Sequence, residues 1–262
     1  MSTSILEARH ITKRFGGLTA NEDVSLHLTG DPGQVVSVIG PNGAGKSTFF
    51  KMLSGFLTPS SGQILLFGQD ITGMSPHKVA RLGLVRTFQE TTIFPDLTAM
   101  EHVSLAHQLH RTASDLEVVL RLPRARQDEQ VLAQSSRDIL ALMELSASAD
   151  TQARYLPQGL LRLLGIAMGL AAKPKVLLLD EPYAGLNPEE THRAVAITRK
   201  IAASGVTVLL VEHDMKAVMA ISDRIHVLYF GKKIAEGTPE EIRNNPQVIE
   251  AYLGQEDEEL GL

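Results

Sequence analysis

The sequence predicts an α/β protein with a parallel core, an antiparallel β part beside it and an all-helical lobe inserted between core segments. Three observations carry that prediction. The apolar, β-branched run VVSVI (Val35 to Ile39) leads into GPNGAGKST and then KSTFFKMLSGF, a strand, glycine loop and helix in succession. Two more apolar runs, Val176 to Leu179 and Val206 to Val211, flank a helix that starts after Pro188, as parallel strands joined by a crossover do. Between about Pro95 and Arg154, strand character disappears.

The other elements follow in chain order. Ile5 to Ile11 and Val24 to Leu28 alternate apolar and polar residues, the pattern of half-exposed antiparallel strands. The helix after the glycine loop stops near Gly55. Gln63 to Phe67 reads as a strand, and so does Leu84 to Phe88, which leads to Gln89. The lobe, read as all-helical, contains Glu101 to His110, a charged break around Arg121 to Gln127, and a helix from about Asp128 to Leu145. In that last helix Val131, Leu132, Ile139, Leu140, Leu142 and Met143 recur at near-helical spacing and mark a buried face. Arg224 to Phe230, the turn Gly231 to Lys233 and a return strand close the fold, and the QEDEE run reads as a solvated tail. One domain over 1–262 is expected, with a core of about 1–94 and 155–262 and a lobe of about 95–154.

Composition narrows the partners. Hydrophobic residues at 44% and charged ones at 21% are ordinary globular usage, and 262 residues suffice for a large core. A formal net charge of −5 argues against nucleic acid as the main partner. With no cysteine, disulfides and thiolate metal sites are excluded. The N-terminal MSTSILEARHITKRF lacks a basic-then-apolar secretory pattern. The longest apolar stretch, Gly159 to Ala172, is too short to cross a bilayer and contains Arg162. A chain that does not itself span a membrane is expected.

The nine residues Gly40, Pro41, Asn42, Gly43, Ala44, Gly45, Lys46, Ser47 and Thr48 fit G-x-x-x-x-G-K-[ST]. Glycines let the backbone turn inward, so that successive N–H groups surround a phosphate at the positive end of a helix. Lys46 would reach the β- and γ-phosphates of a nucleoside triphosphate, and the Ser47 hydroxyl would bind Mg²⁺. Leu177, Leu178 and Leu179 run into Asp180 and Glu181. A carboxylate at that strand tip can hold the Mg²⁺ shell, through water, and the next can polarise a water for attack on the γ-phosphate. His213 stands just past an apolar strand in Glu212-His213-Asp214, a placement that argues against a buried structural histidine. A zinc site there fails, because no second histidine stands at ligand spacing.

Glycine loop, Gln89 after a strand, LLLDEP, AGLN (Ala184, Gly185, Leu186, Asn187) and EHD occur in the order that resembles ABC-transporter ATPase subunits, over nearly the whole chain. KRFGGL, RTFQ, DEPYAGLNPEE, LLVEHDM, ISDRIHVL and GTPEEIRNNPQVIEAYLG narrow the resemblance to LivG-type subunits of bacterial branched-chain amino acid importers. That resemblance implies a RecA-like P-loop core and Mg²⁺-dependent hydrolysis of ATP. It implies sites shared with a second ATPase subunit, LivF-like or a second copy, and transmembrane permease subunits. A substrate-binding protein would act indirectly, and the chain would lie on the cytoplasmic face of the plasma membrane. Phe15 would stack on adenine, although alone it also fits a core aromatic. Gln89 would sense Mg²⁺ and the attacking water and move with the membrane partner. His213 would hydrogen-bond the γ-phosphate and orient Glu181, and Ala184 to Asn187 would touch the opposite subunit.

One segment departs from the family. Leu156-Pro157-Gln158-Gly159-Leu160 stands where the signature is usually close to LSGGQ and faces the partner's ATP. Pro157 offers neither hydroxyl nor N–H. Losing a hydrogen bond to a charged group, worth about 1.5–3 kcal/mol, would weaken γ-phosphate capture about tenfold or more. Alternatively the remaining helix N-terminus suffices. Phe94, Pro95, Leu97 and Met100 likewise fit either a groove that receives a helix of a membrane subunit or core packing of the lobe. A urea or amide importer or an envelope-lipid exporter would share the chemistry. A soluble ABC protein on ribosomes or DNA is disfavoured by the single ATPase core and the lack of heptad arms or a basic tract. A nucleotide sensor without turnover is a fourth reading.

Overall fold

The computed structural model describes residues 4–30, 33–87, 93–107, 114, 117, 120 and 122–259. Its elements run β1 (Ser4–Phe15), β2 (Leu18–Thr29), β3 (Val35–Ile39), α1 (Lys46–Leu53), β4 (Ser61–Leu66), β5 (Gln69–Asp70), α2 (Pro76–Arg81) and β6 (Leu84–Arg86). The helical stretch follows as α3 (Ala99–Ala106), α4 (Pro123–Leu142) and α5 (Gln158–Ala171). The chain then alternates through β7 (Val176–Asp180), α6 (Pro188–Ala203), β8 (Thr207–Val211), α7 (Met215–Ile221), β9 (Arg224–Tyr229), β10 (Lys232–Gly237), α8 (Pro239–Arg243) and α9 (Pro246–Glu259).

β2, β1, β4 and β5 form an antiparallel sheet in that order. The second sheet is ordered β10-β9-β3-β8-β7-β6, parallel throughout except for the antiparallel edge strand β10. Every residue of β3, β7 and β8 is buried, as a parallel sheet covered on both faces requires. Alternation along each strand divides the core in two. Val36, Val38, Leu178, Leu209 and Val211 pack with Phe49 and Phe50 of α1 and with Leu6, Ile11 and Ile64 of the antiparallel sheet. Val35, Leu177, Leu179, Val208 and Leu210 pack against the opposite, helical layer, including Val103, Leu140, Leu164 and Ile197.

The lobe needs two corrections. α4 starts at Pro123 and ends at Leu142, so the charged run through Gln127 is its first turn and not a break. Proline at the first helical position costs no hydrogen bond, because that N–H has no partner inside a helix. Its buried face is also narrower than the periodicity suggests. Leu140 and the following Met143 are buried, whereas Val131 is 56% exposed, since the N-terminal half of α4 stands off the core. α3 and α4 pack on each other and on α5, so the helical layer continues through the helix that opens at Gln158. Capping boxes start α3 (Thr98 with Glu101), α6 (Asn187 with Glu190) and α8 (Thr238 with Glu241). The backbone of the QEDEE run is helical through Glu259.

Candidate functional site

The glycine loop begins where β3 ends. A Cβ on Gly40, at φ +150°, would lie 2.0 Å from the Leu228 carbonyl oxygen, and one on Gly45, at φ +94°, would lie 2.4 Å from that of Ala20. The loop is therefore pressed between β9 and β2, and only glycine fits at these two positions. A Cβ on Gly43, at φ +78°, would meet nothing, so that side of the loop is open. The turn after β9 fastens this arrangement: Gly231 N donates to Ala44 O (3.1 Å), and Glu22 N donates to Gly231 O (2.8 Å). Pro41 and Ala44 are buried, while Asn42, Gly43 and Ser47 are exposed and Thr48 is half-buried.

Lys46 opens α1 and folds its ammonium back over the loop, donating to Gly40 O (2.5 Å) and Pro41 O (2.9 Å). Burial lowers its pKa, and the nearby carboxylates of Glu181 and Asp180 raise it in opposition. Lys46 thus shares an electrostatic neighbourhood with both predicted acidic residues. Phe15 ends β1 with 47% of its surface exposed and with the Lys13 ammonium 5.2 Å from its ring centroid. It is not a core aromatic.

Asp180 is the last residue of β7 and is buried, and Glu181 follows in the left-handed region at φ +49°. That turn is tied to the one after β8 by two bonds. Glu181 N donates to Val211 O (2.9 Å), and Tyr183 N donates to Glu212 Oε1 (2.7 Å). Glu212 Oε2 accepts from His213 N (3.0 Å). Burial raises the pKa of Glu212, against the pull of these N–H groups. The His213 ring is 63% exposed. Because β3, β8 and β7 are adjacent and parallel, the glycine loop, His213 and the Asp180–Glu181 pair lie at one edge, beyond the carboxyl ends of the strands. Arg86, at the same end of β6, donates from Nη2 to Asp180 Oδ2 (2.5 Å).

Sequence reasoning missed Arg86 and Glu212 as parts of this site. Away from this site, buried His102 of α3 accepts from Phe94 N at Nε2 (3.0 Å), with Nδ1 2.8 Å from Thr98 O. Phe94 and Pro95 are exposed, whereas Met100 packs against the core, so the four residues of that segment divide between surface and interior. Gln89 lies outside the described residues.

The signature segment enters α5 with exposed Pro157 at the N-cap, without a side-chain cap. Its carbonyl accepts from Leu161 N (3.0 Å). Gly159 is buried under the Glu190 side chain, where a Cβ would come within 2.7 Å of Oε1. Leu156 is buried, Gln158 is exposed, and Leu160 is half-buried against the helical core. In the next loop Gly185 is exposed and Ala184 and Leu186 half-buried. Asn187 caps α6, accepting from Glu190 N (2.9 Å).

The donor set suits Mg²⁺ carried on phosphate. Among the described residues no group of three His, Cys, Asp or Glu could hold a metal ion unaided. Near the glycine loop stand the hydroxyls of Ser47 and Thr48 and the carboxylates of Asp180, which is buried, and Glu181. Mg²⁺ is typically held by one or two such oxygen ligands plus substrate phosphates.

A profile described as "ABC transporter" matches residues 23–184. The chain belongs to the ABC transporter family. A second profile, "Branched-chain amino acid ATP-binding cassette transporter", matches residues 232–258 of this ABC protein, across β10, α8 and most of α9. It is 45% identical over 256 residues to the high-affinity branched-chain amino acid transport ATP-binding protein BraF of Pseudomonas aeruginosa. That alignment covers 97% of this chain and 100% of the relative. It is 42% identical to LivG of Escherichia coli, with the same coverage. Its fold is similar to the ADP conformation of an ATP-binding cassette of an ABC transporter, with TM-score 0.83 and 31% identity over 96% of this chain and 99% of that one. As an ABC ATPase cassette it has the α/β fold class expected from its sequence, with an antiparallel β part beside the parallel core. No helix among its described residues is long and apolar enough to cross a membrane.

Proposed function

We propose that this chain binds and hydrolyses Mg·ATP as one ATPase subunit of an importer for branched-chain amino acids, at the cytoplasmic face of the membrane. The observation that carries the chemistry is the convergence of Lys46, Asp180, Glu181 and His213 at the carboxyl ends of three neighbouring strands. The relatives' names support the cargo.

In this reading the amides of the glycine loop hold the phosphates, and Lys46 exchanges the Gly40 and Pro41 carbonyls for phosphate oxygens. Ser47 and, through water, Asp180 would hold Mg²⁺, which would neutralise charge on the phosphates. Glu181 accepts the proton of the attacking water, and His213, exposed beside it, donates to the γ-phosphate. Gln89 would sense Mg²⁺ and the attacking water, Phe15 offers its open face to adenine, and Ala184 to Asn187 meet the opposite subunit. ATP interacts better with the closed pair of subunits than with the open one, and that difference drives closure.

The pair is asymmetric. This chain's glycine-loop site turns over, using the partner's signature, and the site that uses Pro157 is the weaker, because its helix N-terminus lacks a side-chain donor. Reconstitution with the membrane and ATPase subunits encoded beside this chain tests both claims. Branched-chain amino acid uptake should require the complex, and Glu181→Gln in this chain should abolish most ATP turnover. Near-normal turnover refutes the asymmetry, and ATP-driven uptake of another cargo refutes the substrate.

A further inference from the structure

Asp180, the carboxylate assigned above to the Mg²⁺ shell, already has a cation on it. Arg86 Nη2 donates to its Oδ2 at 2.5 Å, and the two side chains are only 7% and 4% exposed. β6 and β7 are parallel neighbours with Arg86 opposite Leu178, so the guanidinium reaches two residues along the adjacent strand to the tip of β7. The base of this reach is fixed, since Thr87 N donates to Leu178 O at 2.9 Å. The Phe56 ring lies 6.0 Å from the guanidinium carbon and shields it on another side.

A carboxylate buried this deeply needs a compensating charge. Once a divalent cation and its water shell approach the same carboxylate, the guanidinium becomes a like-charge neighbour competing for the same lone pairs. We propose that Arg86 is an exchangeable counter-ion, holding Asp180 while no nucleotide is bound and releasing it when Mg²⁺ arrives with ATP. Arg86 thereby sets the Mg²⁺ concentration at which nucleotide is retained. This rests on the nucleotide site proposed above. Arg86 acts here as a positioning residue and not a catalytic one. If it instead served to orient Asp180 for the metal, its loss would weaken Mg²⁺ retention, so the two roles differ in sign.

The test uses the full chain carrying Glu181→Gln, which prevents turnover, and follows retention of the fluorescent nucleotide mant-ATP against free Mg²⁺. With Arg86→Met the Mg²⁺ midpoint should fall at least about fivefold, with Arg86→Lys between it and the parent. In EDTA without nucleotide, Arg86→Met should melt lower than the parent, and adding Asp180→Asn should recover much of that loss, because no buried charge is then left alone. An unchanged or higher Mg²⁺ midpoint overturns the proposal. Should Arg86→Met fail to fold, the direction of the Arg86→Lys shift decides the matter alone. If the parent retains no mant-ATP at any Mg²⁺ concentration, the nucleotide site itself is refuted and the counter-ion role goes with it.

Discussion

Replacing Glu212 by alanine removes the clasp between the two turns that carry Glu181 and His213. The carboxylate accepts from Tyr183 N at 2.7 Å and His213 N at 3.0 Å, and its side chain is 1% exposed. Hydrogen bonds to a charged group contribute about 1.5–3 kcal/mol each, so the two together reach about 3–6 kcal/mol. Burial works against them, as the raised pKa of Glu212 shows, and alanine escapes that desolvation cost. The expected net loss is about 2–4 kcal/mol, a fall in Tm of about 5–12 °C for a chain of this size. Glu212→Gln keeps one acceptor oxygen and should lose about half as much. Displacing Glu181 and His213 by a fraction of an ångström should lower ATP turnover by about tenfold or more even in Glu212→Gln, which remains folded. Thermal and urea melts followed by circular dichroism, with phosphate release measured on the reconstituted complex, read both effects. A Glu212→Ala protein that melts within about 2 °C of the parent and turns over at the same rate would refute the clasp.

Other outcomes follow from the same geometry. Burial on β9 pushes the imidazole of His226 down to about 4, although Glu236, 3.4 Å away, pulls the other way. The unfolded chain binds that proton more readily, so the stability involved is full above about pH 6.5 and is lost as pH falls toward 4, about 3 kcal/mol in all. His226→Phe should flatten urea midpoints across that window, and an unchanged slope contradicts the assignment. Gly40→Ala should cost more than about 3 kcal/mol, because its Cβ would meet the Leu228 carbonyl oxygen at 2.0 Å. Gly43→Ala, with nothing within 4 Å, should cost only the about 1–2 kcal/mol of a left-handed alanine. Equal urea midpoints for these two variants would mean that the loop is not wedged against β9.

What could be read from residue order was local. β3, β7 and β8 are buried on both faces, so their apolar runs were unmistakable, and the glycine loop has a fixed spacing that any fold must respect. The start of α4 was misplaced because its first turn is charged, although Pro123 carried the signal for a first helical position. Arg86 and Glu212 were invisible as site residues for a different reason. Each works through a partner contributed by a neighbouring strand or its following turn, Asp180 across β6 and β7 and Tyr183 across β7 and β8. In sequence they are an arginine inside an apolar strand and an acidic residue before a histidine. Only the register of the parallel sheet makes one a counter-ion and the other a clasp.

Everything proposed for catalysis requires that the loop between β3 and α1 hold a triphosphate. Equilibrium dialysis of the purified chain against radiolabelled ATP in magnesium buffer measures this without partner or turnover. Saturable binding is expected, weakened at least about tenfold by Lys46→Ala, whose ammonium now rests on the Gly40 and Pro41 carbonyls. A wild-type chain that retains no ATP, or a Lys46→Ala chain that binds it equally well, contradicts the account.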